Sequence, residues 1–290
     1  MTKPELLLSS ATYDRQVDEA AEFVRQRVGD IPRPLGIIAG SGLVDLAGAL
    51  SVEHRIAPGS IPHLPLPSVL GHHGSVLFGR IGLLETTFFA GRVHLYEERS
   101  TQESVFSIYL AARLGAKILL ATNATGGINP HFRPGDLILL TDQINLTFRN
   151  LPMDSLQPKS LARTDSGGPL YDARLCEKMR EAARQEKIVL KDGIYVGMLG
   201  PSYETRAESA MLRQIGADVV GMSTVGEILA ARRAGLRAVG ISCVANPVPV
   251  WGRVGPVIHD EVLERVGDAI ERLRRLIVCW AGMVADDARS

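Results

Sequence analysis

Apolar positions along the chain carry two signatures in turn, helical stripes and short unbroken runs. Over residues 13–28, Val17, Ala20, Ala21, Val24 and Val28 recur at three- and four-residue steps between charges, which predicts an amphipathic helix stopped by Gly29. Residues 35–39 are continuously apolar and closed by Gly40-Ser41-Gly42, as expected of a buried strand entering a tight loop. Residues 75–80 and 85–90 read as a hairpin about 81–84, residues 103–114 as a helix, and 117–122 as a second buried strand that runs into Asn-Ala-Thr-Gly-Gly-Ile-Asn at 123–129. A strand at 136–141 and a helix at 172–187 enclose a polar, proline-bearing stretch without period, 151–169, expected to be a mobile surface excursion. Strand, helix, strand, helix and strand follow over 193–199, 204–215, 218–221, 226–234 and 238–244. A last helix places Val262, Leu263, Val266, Ala269, Ile270, Leu273 and Ile277 on one side and is expected to leave 285–290 frayed.

Such alternation predicts an α/β fold, a three-layer αβα arrangement in which a central, largely parallel sheet carries helices on both faces. Without a repeat, linker or low-complexity tract, residues 1–290 read as a single domain. Lysine plus arginine equals aspartate plus glutamate at 32 each, so no net field gathers nucleic acid or an anionic membrane. A small substrate fits that balance better. Three cysteines, Cys176, Cys243 and Cys279, stand far apart without metal or redox spacing and are expected to be reduced. No basic-then-apolar leader opens the chain and no apolar run reaches membrane-spanning length, so the expected address is the cytoplasm.

Five polar, glycine-bearing segments interrupt the apolar runs: GSGL at 40, GHHG at 71, GRVHLYE at 91, NATGGIN at 123 and GMST at 221. Glycine lets main-chain N–H groups turn toward an anion, and hydroxyl, imidazole and guanidinium groups complete the set, so the pattern predicts an oxyanion pocket built from dispersed loops. Familiar alternatives fail on spacing. Asp45 occupies the place of the third glycine of a dinucleotide fingerprint, and GxxxxGK, GxSxG and HExxH are absent. Adjacent His72 and His73 would diverge on an extended loop and make a poor metal pair, so no metal is expected.

Taken singly, each candidate also has a plain structural role. Ser41 suits a turn or a helix cap. Alternation would send Arg92, His94 and Tyr96 to one side, where Arg92 can fork two phosphate oxygens or sit on an exposed edge strand. Glu204, after Gly200-Pro201-Ser202-Tyr203, could equally favour the positive end of the next helix, and Tyr203 could be core. Asn246 ends another strand with an amide that both donates and accepts.

Taken in order, GSGL, GHHG, GRVHLYE, NATGGIN, GPSYET, GMST with the following VGE, Asn246 and His259 resemble the trimeric purine nucleoside phosphorylase family, which includes methylthioadenosine phosphorylases. The resemblance runs from about residue 37 to 263 and implies a central mixed sheet flanked by helices, a homotrimer and no cofactor, inorganic phosphate being a co-substrate. It implies phosphate contacts at Ser41, His72, Arg92, His94, the backbone of Ala124, and Ser223. Tyr96, Met222, His259 and Phe148 would surround the ribose, with Phe148 reaching a neighbouring subunit. Tyr203, Glu204, Asn246 and Gly126 would form the base pocket, and the catalytic work would fall to Asn246, Glu204 and His94. Glutamate with asparagine matches the branch acting on 6-oxopurine nucleosides, inosine and guanosine. The stretch 245–251, with Pro247 removing a backbone donor, departs from the family pattern. Rival expectations are a methylthioadenosine phosphorylase, a nucleoside hydrolase using water, and a non-catalytic nucleoside-binding homologue.

Overall fold

The computed structural model describes residues 7–68, 74–151, 169–248 and 259–288, with side chains excluded for 259–266. His72, His73, most of the 151–169 excursion and the latter part of the 245–251 stretch lie outside the described residues.

Helix α1 (Ser10–Val28) buries the predicted stripe, is capped by the Ser9 hydroxyl and ends where Gly29 takes φ 83°. Strand β1 (Leu35–Ala39) is buried on both faces, which its unbroken apolar run requires. A 3-10 turn at Val44–Ala49 leads to β2 (Ser51–Ile56), which the reading of the sequence did not foresee. The hairpin is present as β3 (Ser75–Ile81) and β4 (Leu84–Ala90), with Gly82 at φ 58° in the turn. The single helix expected over 103–114 is split into α2 (Thr101–Ser104) and α3 (Phe106–Arg113), Val105 standing between them out of helical geometry.

Strands β5 (Ile118–Gly127), β6 (Leu137–Asn145), β7 (Leu190–Gly197), β8 (Val219–Gly221) and β9 (Arg237–Pro247) alternate with α4 (Ala173–Gln185), α5 (Arg206–Gln214) and α6 (Val225–Arg233). Helix α7 (His259–Val284) closes the fold, burying Ala269, Leu273, Leu276, Trp280 and Val284 at helical spacing. The indole N–H of Trp280 donates to the carbonyl of Leu175 at 3.2 Å, docking α7 on α4.

The described strands form one mixed sheet in the order β2-β3-β4-β1-β5-β8-β7-β6-β9, and β9 returns to pair with β5. The second half of the sheet therefore curls into a closed ring of β5, β8, β7, β6 and β9. Helices α1, α2, α3 and α6 form one packed group and α4 with α7 another, so the α/β architecture with flanking helices is as expected.

Two expectations are corrected. Residues 285–288 are not frayed: Asp287 is buried and ion-paired with Lys178, Arg174 at 3.1 Å and Arg237 at 3.5 Å. The segment at 123–127 is not a loop but the end of β5, paired along its length with β9. Among the described residues no helix is long and apolar enough to cross a membrane.

Candidate active site

The register of β5 creates the site. Strand β1 accompanies it only as far as Ile38 opposite Ala121, and β8 joins only at Val220 opposite Gly126. Between those points, residues 122–125 have β9 on one edge and, among the described residues, no strand on the other. The chain after β1 (Gly40-Ser41), after β4 (Gly91-Arg92), after β7 (203–204) and after β8 (Met222-Ser223) converges on that gap, at the carboxyl ends of the strands where open α/β sheets hold ligands. The result is a cavity of about 200 Å³ whose walls include Ser41, Arg92, His94, Tyr96, Ala124, Gly126, Tyr203, Glu204, Met222, Ser223 and Asn246.

Close approach demands glycine at the inner wall. A Cβ at Gly40 would stand 2.8 Å from the carbonyl oxygen of Thr122, and one at Gly126 would stand 2.4 Å from Cγ2 of Val248.

At one end the polar groups are buried and tied to one another. Arg92 Nη1 donates to Ser223 Oγ at 2.9 Å; Nη2 donates to the carbonyls of Thr122 at 2.6 Å and Ile38 at 3.4 Å. Its Nε lies 3.0 Å from Glu227 Oε1 in an ion pair whose side chains are 2% and 5% exposed. The guanidinium fork that could have grasped two phosphate oxygens thus has one prong turned to the strand backbone. Burial pushes the Glu227 carboxyl above its ordinary range, against the pull of Arg92. Ser242 donates to Asn123 Oδ1 at 2.6 Å, Asn123 Nδ2 donates to Thr224 Oγ1 at 2.6 Å, and Thr224 Oγ1 lies 3.2 Å from Ser223 Oγ. This chain of bonds fixes the β8–α6 corner against β5 and β9.

His94 is buried, stacked on Tyr96 with centroids 4.8 Å apart, and its Nδ1 is 3.0 Å from Glu97 Oε1. Burial first, then the charge of Arg92, push the imidazole below its ordinary pKa despite Glu97. Glu97 also accepts from the His94 N–H at 2.7 Å and the Ser68 hydroxyl at 2.6 Å; although burial opposes it, these bonds hold its carboxyl below the usual range. Strand alternation does not bring His94 and Tyr96 together, because β4 ends at Ala90 and residues 95–97 form a 3-10 turn.

The other end is more open. Glu204 is half-buried, which raises its pKa, and it is not occupied with capping α5: Thr205 caps that helix in a reciprocal pair with Glu208. Tyr203, at 82% exposure, stands at the rim and not in the core. Asn246 makes a 3.4 Å contact from its amide to the Pro247 carbonyl.

Of the expected site residues, Phe148 is outside the cavity and 87% exposed. For His259 only its position at the start of α7 is described. Asn123, Glu97, Thr224 and Glu227 lie within the quoted motifs but were given no individual role in the site. Glu227 carried a readable signal, a lone carboxylate between Val225 and Ile228 on the apolar side of α6.

Fold and cavity together define an α/β protein with one polar cavity, buried and internally bonded at the Arg92 end and more open at the Glu204 end. Residues 34–279 match the model of the Phosphorylase superfamily. The chain is 36% identical over 250 residues to purine nucleoside phosphorylase 1 of Bacillus subtilis (strain 168), covering 86% of this chain and 91% of that protein. It is 34% identical over 272 residues to the purine nucleoside phosphorylase of Rattus norvegicus (92% and 93% covered) and 35% over 266 residues to that of Mycobacterium tuberculosis (91% and 94%). The chain belongs to the Phosphorylase superfamily and, within it, to the purine nucleoside phosphorylase family; it is an enzyme, a pentosyltransferase.

Proposed function

We propose that the protein catalyses the reversible phosphorolysis of 6-oxopurine ribo- and deoxyribonucleosides, inosine and guanosine, giving free base and the sugar 1-phosphate, as a homotrimer without a cofactor. The observation that carries this reading is the placement of Arg92 bonded to Ser223 at one end of a cavity whose other end holds Glu204 and Asn246.

Phosphate would lie against Arg92, Ser223, Ser41, His72, His94 and the Ala124 backbone. With Glu97 as partner of Nδ1, a neutral His94 carries its proton there and keeps Nε2 as an acceptor, suited to the P–OH of hydrogen phosphate. Tyr96, Met222, His259 and a neighbouring subunit's copy of the Phe148 segment would hold the sugar. Positioning converts the meeting of two solutes into one oriented attack on C1′. As the glycosidic bond loosens, the sugar becomes cationic above the phosphate and the base becomes anionic. Asn246 donating toward purine N7 binds that anion more strongly than the neutral base, and this difference lowers the barrier. Glu204 accepts from the N1–H of a 6-oxopurine, whereas a 6-aminopurine offers a lone pair at N1 and meets repulsion.

Inosine, guanosine, adenosine and methylthioadenosine, each with and without phosphate, form the test. Base release from inosine and guanosine that requires phosphate is expected. Preference for methylthioadenosine, release without phosphate, or binding without turnover would each replace this reading with one of its rivals.

A further inference from the structure

Glu227 has no part in the proposed chemistry, yet it places a carboxylate against the most buried cation of the cavity wall. Two roles are open to it, orienting the guanidinium or balancing its charge. The geometry decides between them. Arg92 is already fixed by three acceptors on three elements: Thr122 of β5, Ile38 of β1 and Ser223 after β8. Glu227 Oε2 makes no hydrogen bond to any described residue, so that oxygen organises neither backbone nor side chains around it. What it adds is one negative charge, 3.0 Å from Nε and almost wholly out of water. Without it the empty site would hold an uncompensated buried cation, a costly arrangement.

Resting on the phosphate reading above, we propose that Glu227 is the resident counter-anion of Arg92: it stabilises the empty site, repels incoming phosphate, and thereby holds phosphate affinity low enough for release in either direction of the reaction. At an effective dielectric constant of about 20, one unit charge acting across about 7 Å, the width of a guanidinium between two anions, changes a binding constant by roughly fiftyfold. Orientation lost by a residue with three other tethers is the smaller effect. Neutralising Glu227 therefore tightens phosphate binding.

The test compares the wild-type enzyme with Glu227→Gln and Glu227→Asp. Phosphate affinity is measured by calorimetry, the KM values for phosphate and nucleoside separately, and thermal unfolding with and without phosphate. For Glu227→Gln, phosphate binding about tenfold tighter or more is expected, with the nucleoside KM within about twofold and a loss of thermal stability that saturating phosphate largely restores. Glu227→Asp, which keeps the charge, should stay within about threefold of wild type for phosphate. An unchanged or weakened phosphate affinity in Glu227→Gln overturns the proposal, as would failure of that variant to fold even in saturating phosphate. Should the wild-type enzyme bind no phosphate, the proposed function falls first and the proposal with it; phosphate-dependent wild-type turnover with an indifferent Glu227→Gln sinks the proposal alone.

Discussion

The two ends of the cavity differ in how much of their polarity is already engaged. At the Arg92 end, guanidinium, imidazole, hydroxyls and amide are buried and bonded to one another across β1, β5, β9 and the start of α6. At the Glu204 end, the described carboxylate and amide stand with few bonds to the protein, beside a largely exposed tyrosine. A charge developing or arriving at the first end meets dipoles set during folding, which need no reorganisation. On the proposed function, the second end would contribute through groups able to adapt to a flat heterocycle. Substitutions at the first end should therefore damage fold and activity together, and at the second end activity alone.

Arg92→Met is the strongest break. It leaves Glu227 buried without its cation, a loss of about 3–5 kcal/mol in stability, and removes the proposed phosphate anchor. Urea unfolding and phosphate-dependent turnover should fall together, turnover by about a thousandfold or more. A variant that loses only activity would contradict the coupling. Asn246→Ala sharpens the contrast from the other side: kcat on inosine should drop by about 100- to 1000-fold, with stability within about 0.5 kcal/mol of wild type. A comparable fall in stability would place Asn246 among the structural groups.

Gly126→Ala probes the β5 backbone wall beside Asn246 and not one of the adaptable polar groups. Its Cβ would collide with Val248, so a loss of about 1–3 kcal/mol is expected by chemical denaturation. A neutral result would mean that β9 yields more readily than its packing implies. The smallest effect concerns His94, whose folded pKa is depressed below 6.5. The unfolded chain then binds the proton more readily, so the neutral ring contributes stability that is present above pH 6.5 and lost as pH falls through the depressed folded value. His94→Gln should flatten that part of the stability profile; an unaltered slope would exclude His94 as its source.

Much of the fold was legible because its signals are local. The stripe of α1, the apolar run of β1 and the 75–90 hairpin each declare their period within a few residues. Strand β2 was not, since Ser51–Ile56 exposes all but its last residue and carries charges where a buried run would carry valine. Asn123–Gly127 reads as a loop by composition, yet β9 and β8 supply hydrogen-bond partners that no local pattern announces. For the site, the motifs located Arg92, Ser223, Glu204 and Asn246, because strand ends in α/β sheets are where function collects. Which motif meets which was not legible: Glu227 pairs with Arg92 across 135 positions, and Asn123 bonds Thr224 across 101. Their pairing is a property of topology.

The most direct test of the whole account follows inosine and inorganic phosphate mixed with the purified enzyme, by phosphorus NMR and by the absorbance of released base. The account predicts a new sugar phosphate resonance appearing mole for mole with hypoxanthine, and neither product when phosphate is left out. Hypoxanthine appearing without consumption of phosphate would contradict it.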